Sequence, residues 1–140
     1  MDLVCPSTFV RLGPRLASAF GDCYRRVMGL VRAEDMIVRW PLHGWTGRSF
    51  HSATMTFTHW DIAADAVPLY EHHHPHEEVW HVVEGEIALT IAGVEKIVRA
   101  GMAAVVPSDT LHSATPCGPC KAIVADWPLR AQLPGERPLH

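Results

Sequence analysis

The sequence predicts one all-β domain, a barrel or a sandwich of short strands. Apolar residues recur with a period of two in several short segments, and no helical pattern separates those segments. Eleven prolines and ten glycines indicate many turns. With 140 residues, of which 48% are hydrophobic, the chain has the size of a single domain and can bury one core.

Residues 1–35 are predicted to form an arm that differs from the rest of the chain. Apolar residues between positions 14 and 32 fit a helix only loosely, and Gly21 and Gly29 weaken it. The arm is therefore either a short helix or irregular chain that packs on the domain, covers a sheet edge or reaches a second subunit. We assign residues 36–130 to the barrel and residues 131–140 to a tail.

The first half of the barrel is predicted to contain strands at 36–40 and 52–62, with a glycine-containing loop at 42–51. In the second strand Met55, Phe57 and His59 share one face, and threonines and Trp60 occupy the other. We expect Met55, Phe57 and His59 to be buried in the core, with lining of a substrate pocket as the alternative.

The second half of the barrel is predicted to alternate strands with tight turns. The predicted strands are 79–83, 87–91, 94–99, 102–106, 111–114 and 121–127. Trp80 has the same parity as Glu78 and is expected to face the interior, as core or as a wall of the substrate pocket.

The composition excludes several function classes. Twelve basic residues stand against fifteen acidic ones, a net charge of -3, so the basic excess that non-specific nucleic-acid or anionic-membrane binding requires is absent. No apolar run reaches the roughly 18 residues that span a bilayer. We predict a cytoplasmic protein that binds neither nucleic acid nor membranes.

Five of the ten histidines lie between positions 72 and 81. In an extended segment His72 and His74 point to one face, and Glu78 can return to that face. Imidazole and carboxylate ligands suit Zn, Fe, Mn, Ni or Cu, and His112, in a separate predicted strand, is the best candidate for a fourth ligand. A solvated histidine loop is the simpler alternative, and His74 with His76 gives a competing pair.

Two motifs in this region resemble those of the cupin superfamily. The first motif, G-x5-H-x-H-x3-4-E-x6-G, is matched by His72, His74, Glu78 and Gly85, with Ala66 in place of the opening glycine. The second, G-x5-P-x-G-x2-H-x3-N, is matched by its first glycine, its proline and its histidine: Gly101, Pro107 and His112. Asp109 replaces the inner glycine and Pro116 the final asparagine. The resemblance covers residues 52–127.

The resemblance implies a double-stranded β-helix, the cupin jelly-roll barrel of the RmlC-like type. It implies that His72, His74, Glu78 and His112 hold one divalent transition metal ion (Fe, Mn, Ni or Zn) with open coordination positions, and that the chain forms a homodimer. Glu78 is also the candidate catalytic proton carrier.

A C-x-x-C sequence, Cys117 to Cys120, matches the redox motif of thioredoxins. A proline precedes it and an alternating strand follows it, so we expect a hairpin turn rather than a functional dithiol.

Two hypotheses follow for function. The first is a metal-dependent enzyme, a dioxygenase, isomerase or related activity, acting on a small organic acid or sugar derivative. Small cupins that help open unsaturated uronate rings share a late strand ending like Asp126-Trp127-Pro128, after which Arg130 could hold a carboxylate. The second is a non-catalytic cupin that binds or senses a small ligand and holds a structural metal. A storage or interaction barrel ranks last, since it leaves the four spaced ligands unused.

Overall fold

The structure, a computed structural model, describes residues 29–131. Most of the predicted arm and all but the first residue of the predicted tail lie outside this range. A short 3-10 helix at Ala33–Asp35 precedes ten strands. The strands are β1 (Ile37–Arg39), β2 (Trp45–His51), β3 (Thr56–Ile62), β4 (Leu69–His72), β5 (Glu77–Glu84), β6 (Glu86–Ile91), β7 (Val94–Arg99), β8 (Ala103–Val106), β9 (His112–Pro116) and β10 (Cys120–Trp127).

The strands form two antiparallel sheets whose inner faces enclose the core. The six-stranded sheet has the order β1-β2-β3-β10-β5-β8, and the four-stranded sheet has the order β4-β9-β6-β7. The core is made of apolar residues from both sheets, among them Val82, Val124, Ile87 and Leu89. The all-β jelly-roll prediction is confirmed.

The predicted loop at 42–51 is wrong, because residues 45–51 form β2. The inward positions of this strand include Trp45, Gly47 and Ser49, a set too mixed in size and polarity to give an apolar alternation. Gly47 has a packing reason: a Cβ there would lie 2.7 Å from the ring of Trp60.

The inner face of β3 carries Thr56, Thr58, Trp60 and Ile62. Thr58 can be buried because its hydroxyl shares a hydrogen bond of 2.8 Å with the hydroxyl of Ser49. The interior face of this strand is therefore the threonine face. Phe57 and His59 lie on the other face, where the Phe57 ring stacks on Phe50 with centroids 5.2 Å apart.

The strand register aligns one row of polar residues across the inner face of the six-stranded sheet. His51 pairs with Thr56, Thr56 with Asp126, and Asp126 with Glu78. We call these four residues the mouth row. Six residues along β3, Ile62 pairs with Trp45 and Cys120, and we call these three residues the far row.

The Cys117 to Cys120 turn joins β9 to β10 and thus crosses from one sheet to the other, so it is not the hairpin turn we expected. Both cysteines are free thiols. Burial, and then the neighbouring Cys117, raise the pKa of Cys120 to about 11, which disfavours a reactive thiolate at this position. The turn packs closely on Gly85, where φ is +75° and a Cβ would lie 2.2 Å from the carbonyl oxygen of Pro119.

Within residues 29–131, none of the helical structure is long and apolar enough to cross a membrane.

Candidate metal centre

Three histidines meet where the chain crosses between the sheets. His72 is the last residue of β4 and pairs with His112, the first residue of β9, with ring centroids 4.3 Å apart. His74 lies in the short connection from β4 to β5, and its ring centroid is 4.9 Å from that of His112. One ring nitrogen of each histidine lies within 4.8 Å of the others.

Each of these imidazoles is oriented by a backbone carbonyl. The Nδ1 atoms of His72, His74 and His112 lie 2.9, 3.1 and 2.7 Å from the carbonyl oxygen atoms of Tyr70, His76 and Thr110. A carbonyl oxygen only accepts, so each Nδ1 must carry the proton and donate it. Each neutral ring is then left with a lone pair on Nε2, the form in which histidine ligates metals.

The Nε2 atoms face acceptors or have no partner. His74 Nε2 lies 3.1 Å from Glu78 Oε2, and His112 Nε2 is buried without a hydrogen-bond partner, 3.6 Å from Glu78 Oε1. Two acceptor atoms at 3.1 Å repel unless a second proton on the imidazole or a cation lies between them. Burial also lowers the pKa of His72, which favours its neutral, ligating form. The residues present therefore fit a divalent ion.

Glu78 is 5% exposed and is fixed from several sides. The indole N–H of Trp80 donates to Oε1, while His74 contacts Oε2. Burial alone would raise the pKa of Glu78, but in the metal-free chain hydrogen bonds from His74, which require a second proton on that imidazole, and from Asp126 and Trp80 hold the pKa at about 2. Glu78 is thus an ionised, immobile carboxylate, which suits a ligand better than a proton carrier.

Asp126 is a second buried carboxyl, 2% exposed, beside Glu78 in the register of β10 with β5. Burial and the charge of Glu78 raise the pKa of Asp126 to about 8, although Arg130 opposes the shift. Its Oδ1 atom is buried without a hydrogen-bond partner. One ligand atom each of His74, Glu78 and Asp126 also lie within 4.8 Å of one another. The pair therefore holds one proton near neutral pH, and Asp126 carries it.

The site contains residues that sequence reasoning did not assign to it. The sequence singles out Asp126 only through a short likeness to cupins that open uronate rings, although it interrupts the inward apolar series of Ala122 and Val124 in β10. His51 was assigned to a loop, yet its Nδ1 lies 2.9 Å from the hydroxyl oxygen of Thr56 in the mouth row. A polar residue at an inward position of a strand was the available signal for both.

The predicted pocket residues lie in different places. Trp80 is 2% exposed and packs in the core against Trp45 while its indole N–H reaches Glu78. Phe57 is half-buried on the outer face of β3, so the structure does not bring it to the histidines. His59 is exposed on that outer face, so the expectation of a buried His59 is wrong. Met55, half-buried, precedes β3 and its backbone closes the β2–β3 turn on Ser52.

His76 does not compete with His72 for the cluster. Of the described residues, His76 belongs to neither group whose ligand atoms could hold an ion together. Its carbonyl instead orients His74, and its Nδ1 is buried without a hydrogen-bond partner.

The β8–β9 turn fixes the connection that carries His74. The N–H of Asp109 donates to the carbonyl oxygen of His74 at 2.8 Å, and the Ser108 hydroxyl donates to that of Pro75 at 2.6 Å. Asp109 adopts φ of +55°, the left-handed conformation that glycine takes most easily and Asp tolerates. The replacement of the motif's glycine by Asp109 is thus compatible with the turn.

A family model described as "Cupin domain" matches residues 58–126, a range that includes all four motif residues. The chain belongs to the cupin superfamily. No curated protein is similar enough in sequence to count as a match.

Several solved structures share the cupin fold of this chain. An RmlC-like cupin from Shewanella frigidimarina is 24% identical over 74% of this chain and 94% of its own, with a TM-score of 0.66. KdgF from Halomonas sp. is 19% identical over 74% and 96% of the two chains, with a TM-score of 0.67. An oxalate decarboxylase from Bacillus subtilis is 17% identical over 72% and 31%, with a TM-score of 0.61. At these identities the likeness shows the fold alone.

Proposed function

We propose that this cupin binds one divalent transition metal ion through His72, His74, Glu78 and His112, and that it is a metal-dependent enzyme. The observation that carries the proposal is the set of three Nδ1-anchored imidazoles with ring nitrogens within 4.8 Å of one another, two of which, His74 and His112, lie 3.1 and 3.6 Å from the carboxylate of Glu78. Three nitrogen ligands and one oxygen ligand suit Fe, Mn, Ni or Zn. Such an ion supplies Lewis acidity and open coordination positions for a substrate or O₂.

The buried carboxyl beside the centre favours catalysis over simple binding. The Asp126 carboxyl lies within 4.8 Å of the ligand atoms of His74 and Glu78, and in the metal-free chain burial and the charge of Glu78 raise its pKa to about 8, so this carboxyl is placed to exchange a proton with a bound substrate. Glu78, the proton carrier that we predicted from the motif, is held ionised and serves as a ligand in this proposal. We therefore assign proton transfer to Asp126 and metal binding to Glu78.

The reaction class is a dioxygenase, an isomerase or a related activity on a small organic acid or sugar derivative. Cupins of the same fold include proteins named oxalate decarboxylase and hydroxypropylphosphonic acid epoxidase, the latter from S. wedmorenis. Each of these names refers to a small organic acid. A sensor cupin with a structural metal is the alternative. Homodimer formation and a cytoplasmic location remain predictions.

Elemental analysis of untagged protein, purified without added metal, tests the centre. We expect near one Fe, Mn, Ni or Zn ion per chain in the wild type, and its loss in His72→Ala and His112→Ala. His59→Ala, which removes an exposed histidine on the outer face of β3, is the matched control and should keep the ion. A wild-type chain that neither contains metal nor takes it up on reconstitution would contradict the proposal and leave a binding barrel.

A further inference from the structure

Arg130 lies beyond the last strand, yet its side chain turns into the mouth of the barrel and is 13% exposed. Two contacts hold it there. Its backbone N–H donates to the hydroxyl of Thr56 at 3.0 Å, and its Nε atom lies 3.5 Å from Asp126 Oδ2. The guanidinium is thus fixed beside the mouth row.

The guanidinium has unused hydrogen-bonding capacity. A guanidinium carries five N–H donors in a planar fork, and the Nε atom of Arg130 is buried without a hydrogen-bond partner. Asp126 Oδ2, 3.5 Å from this Nε atom, does not satisfy the donor. A buried donor without an acceptor costs free energy, so this arrangement favours a bound acceptor that fits the fork.

A second unused group lies close by. His76 Nδ1 is buried without a hydrogen-bond partner, and the His76 ring centroid is 5.5 Å from that of the metal-centre residue His74. Both groups border the same cluster, because the ligand atoms of His74 and Asp126 lie within 4.8 Å of each other and the Nε atom of Arg130 lies 3.5 Å from Asp126. Two unpaired polar groups therefore lie beside the histidine cluster and have no use in metal binding.

We propose that Arg130 and His76 form a carboxylate-binding subsite beside the metal centre, so that the substrate is a small organic acid. This inference rests on the proposed function, because it places the reacting end of that acid at the ion. The Arg130 fork matches the two oxygen atoms of a carboxylate, and His76 adds one further contact.

The surroundings select a singly charged ligand. Glu78, the ionised carboxylate of the cluster, opposes a second negative charge, whereas Asp126 carries the shared proton near neutral pH. A phosphate-like dianion usually needs several cationic partners, and the residues described here supply one guanidinium. A neutral sugar hydroxyl can accept from the buried Nε–H, but it has neither the charge nor the paired oxygen atoms that match the guanidinium fork. The subsite therefore narrows the substrate class to monocarboxylates.

Binding of glycolate and of its neutral analogue glycolamide tests the subsite by calorimetry on the protein as purified. We expect glycolate to bind at least about tenfold more tightly than glycolamide, and Arg130→Gln to weaken glycolate binding by roughly 30-fold. His76→Gln should weaken it by a smaller factor. The ¹⁵N–¹H signal of the Arg130 Nε group should shift on addition of glycolate and not of glycolamide.

Two controls separate this proposal from the others. Arg99→Gln removes an exposed arginine paired with Glu86 and should leave glycolate binding unchanged. Arg130→Lys keeps the charge but loses the planar fork, so it should retain only part of the wild-type affinity for glycolate. This variant also tests the subsite if Arg130→Gln does not fold. Elemental analysis of the same samples should show unchanged metal content in all Arg130 variants.

The proposal is overturned if glycolate binds Arg130→Gln as well as the wild type, or if methylphosphonate binds the wild type more tightly than glycolate. A failed metal centre is distinguishable from a failed subsite. A wild type without metal that still prefers glycolate over glycolamide through Arg130 contradicts the enzyme proposal and supports the subsite.

Discussion

The two ends of the barrel interior differ in what they bury. The far row packs Trp45 and Ile62 with Cys120, and the ring of Trp45 meets those of Trp60 and Trp80 edge to face, with centroids 5.6 and 6.4 Å apart. The mouth row buries a hydroxyl and two carboxyls on the same sheet. Apolar contacts at the far row stabilise the fold, while the unpaired Oδ1 atom of Asp126 at the mouth row costs stability. In the six-stranded sheet the residues that stabilise the fold therefore lie at one end of the strands, and the residues of the candidate site lie at the other end.

The largest change in stability is expected at the far row. Ile62→Ala removes a side chain that is 1% exposed and should lower the free energy of unfolding by about 2–5 kcal/mol. Urea denaturation of the metal-free protein measures it. The metal affinity of the folded Ile62→Ala protein should stay close to the wild-type value. A strong loss of metal affinity would contradict the independence of the two ends.

The largest change in binding is expected beside the mouth row. His112→Ala removes a buried imidazole with an unpaired Nε2 and should reduce metal affinity about 100-fold or more. Titration with Zn²⁺ or Ni²⁺ measures it, beside His81→Ala, which changes an exposed histidine. Equal losses in the two variants would contradict a specific centre.

The pH dependence of stability is expected to come from Asp126. Its pKa is raised to about 8 in the folded chain from 3.8, so between these values the folded state binds more protons than the unfolded state. The contribution of Asp126 is therefore fully present below about pH 4 and is lost as the pH rises to about 8. Glu78, held at about 2, acts in the opposite direction and only in more acidic solution.

Asp126→Asn removes this titration and should flatten the profile. Between pH 5 and 8 we expect the free energy of unfolding of the metal-free wild type to fall by roughly 3–4 kcal/mol more than that of the variant. Denaturation in the presence of EDTA at both pH values measures the difference. Asp61→Asn, at an exposed outward position of β3, should keep the wild-type slope. Identical slopes in wild type and Asp126→Asn would contradict the shared proton.

The smallest effect is expected at the turn that fixes His74. Ser108→Ala removes the hydrogen bond to the Pro75 carbonyl and should cost about 0.5–1.5 kcal/mol of stability. Metal affinity should fall only a few-fold, because the Asp109 contact with His74 remains. Thermal melting with and without Zn²⁺ measures both effects. A loss of metal affinity as large as that of His112→Ala would show that the β8–β9 turn contributes as much to metal affinity as a ligand does.

The sequence predicted most where a residue's role depends on local spacing. The two motifs identify His72, His74, Glu78 and His112, and the structure brings the histidines together. The tight turn predicted between the strands at 87–91 and 94–99 is present at Ala92-Gly93, where both residues adopt positive φ.

The sequence predicted least where the interior is polar. Alternation assigns the apolar side of a strand to the core, but β3 buries Thr56 and Thr58. The hydroxyl of Ser49 in β2 pairs with Thr58, and the backbone N–H of Arg130 donates to Thr56. Arg130 itself lies outside every strand, so no periodicity could place it. Long-range pairing, rather than local pattern, positions these groups.

The ligands of the centre are divided between the two sheets. His72 and His112 belong to the four-stranded sheet, and Glu78 belongs to the six-stranded one. His74 lies in the short connection from β4 to β5 that joins the two sheets. An ion held by all four residues would crosslink the two sheets at the open end of the barrel. Release of the ion would then require the two sheets to separate locally. The dissociation rate of the ion would therefore report how often this end of the barrel opens.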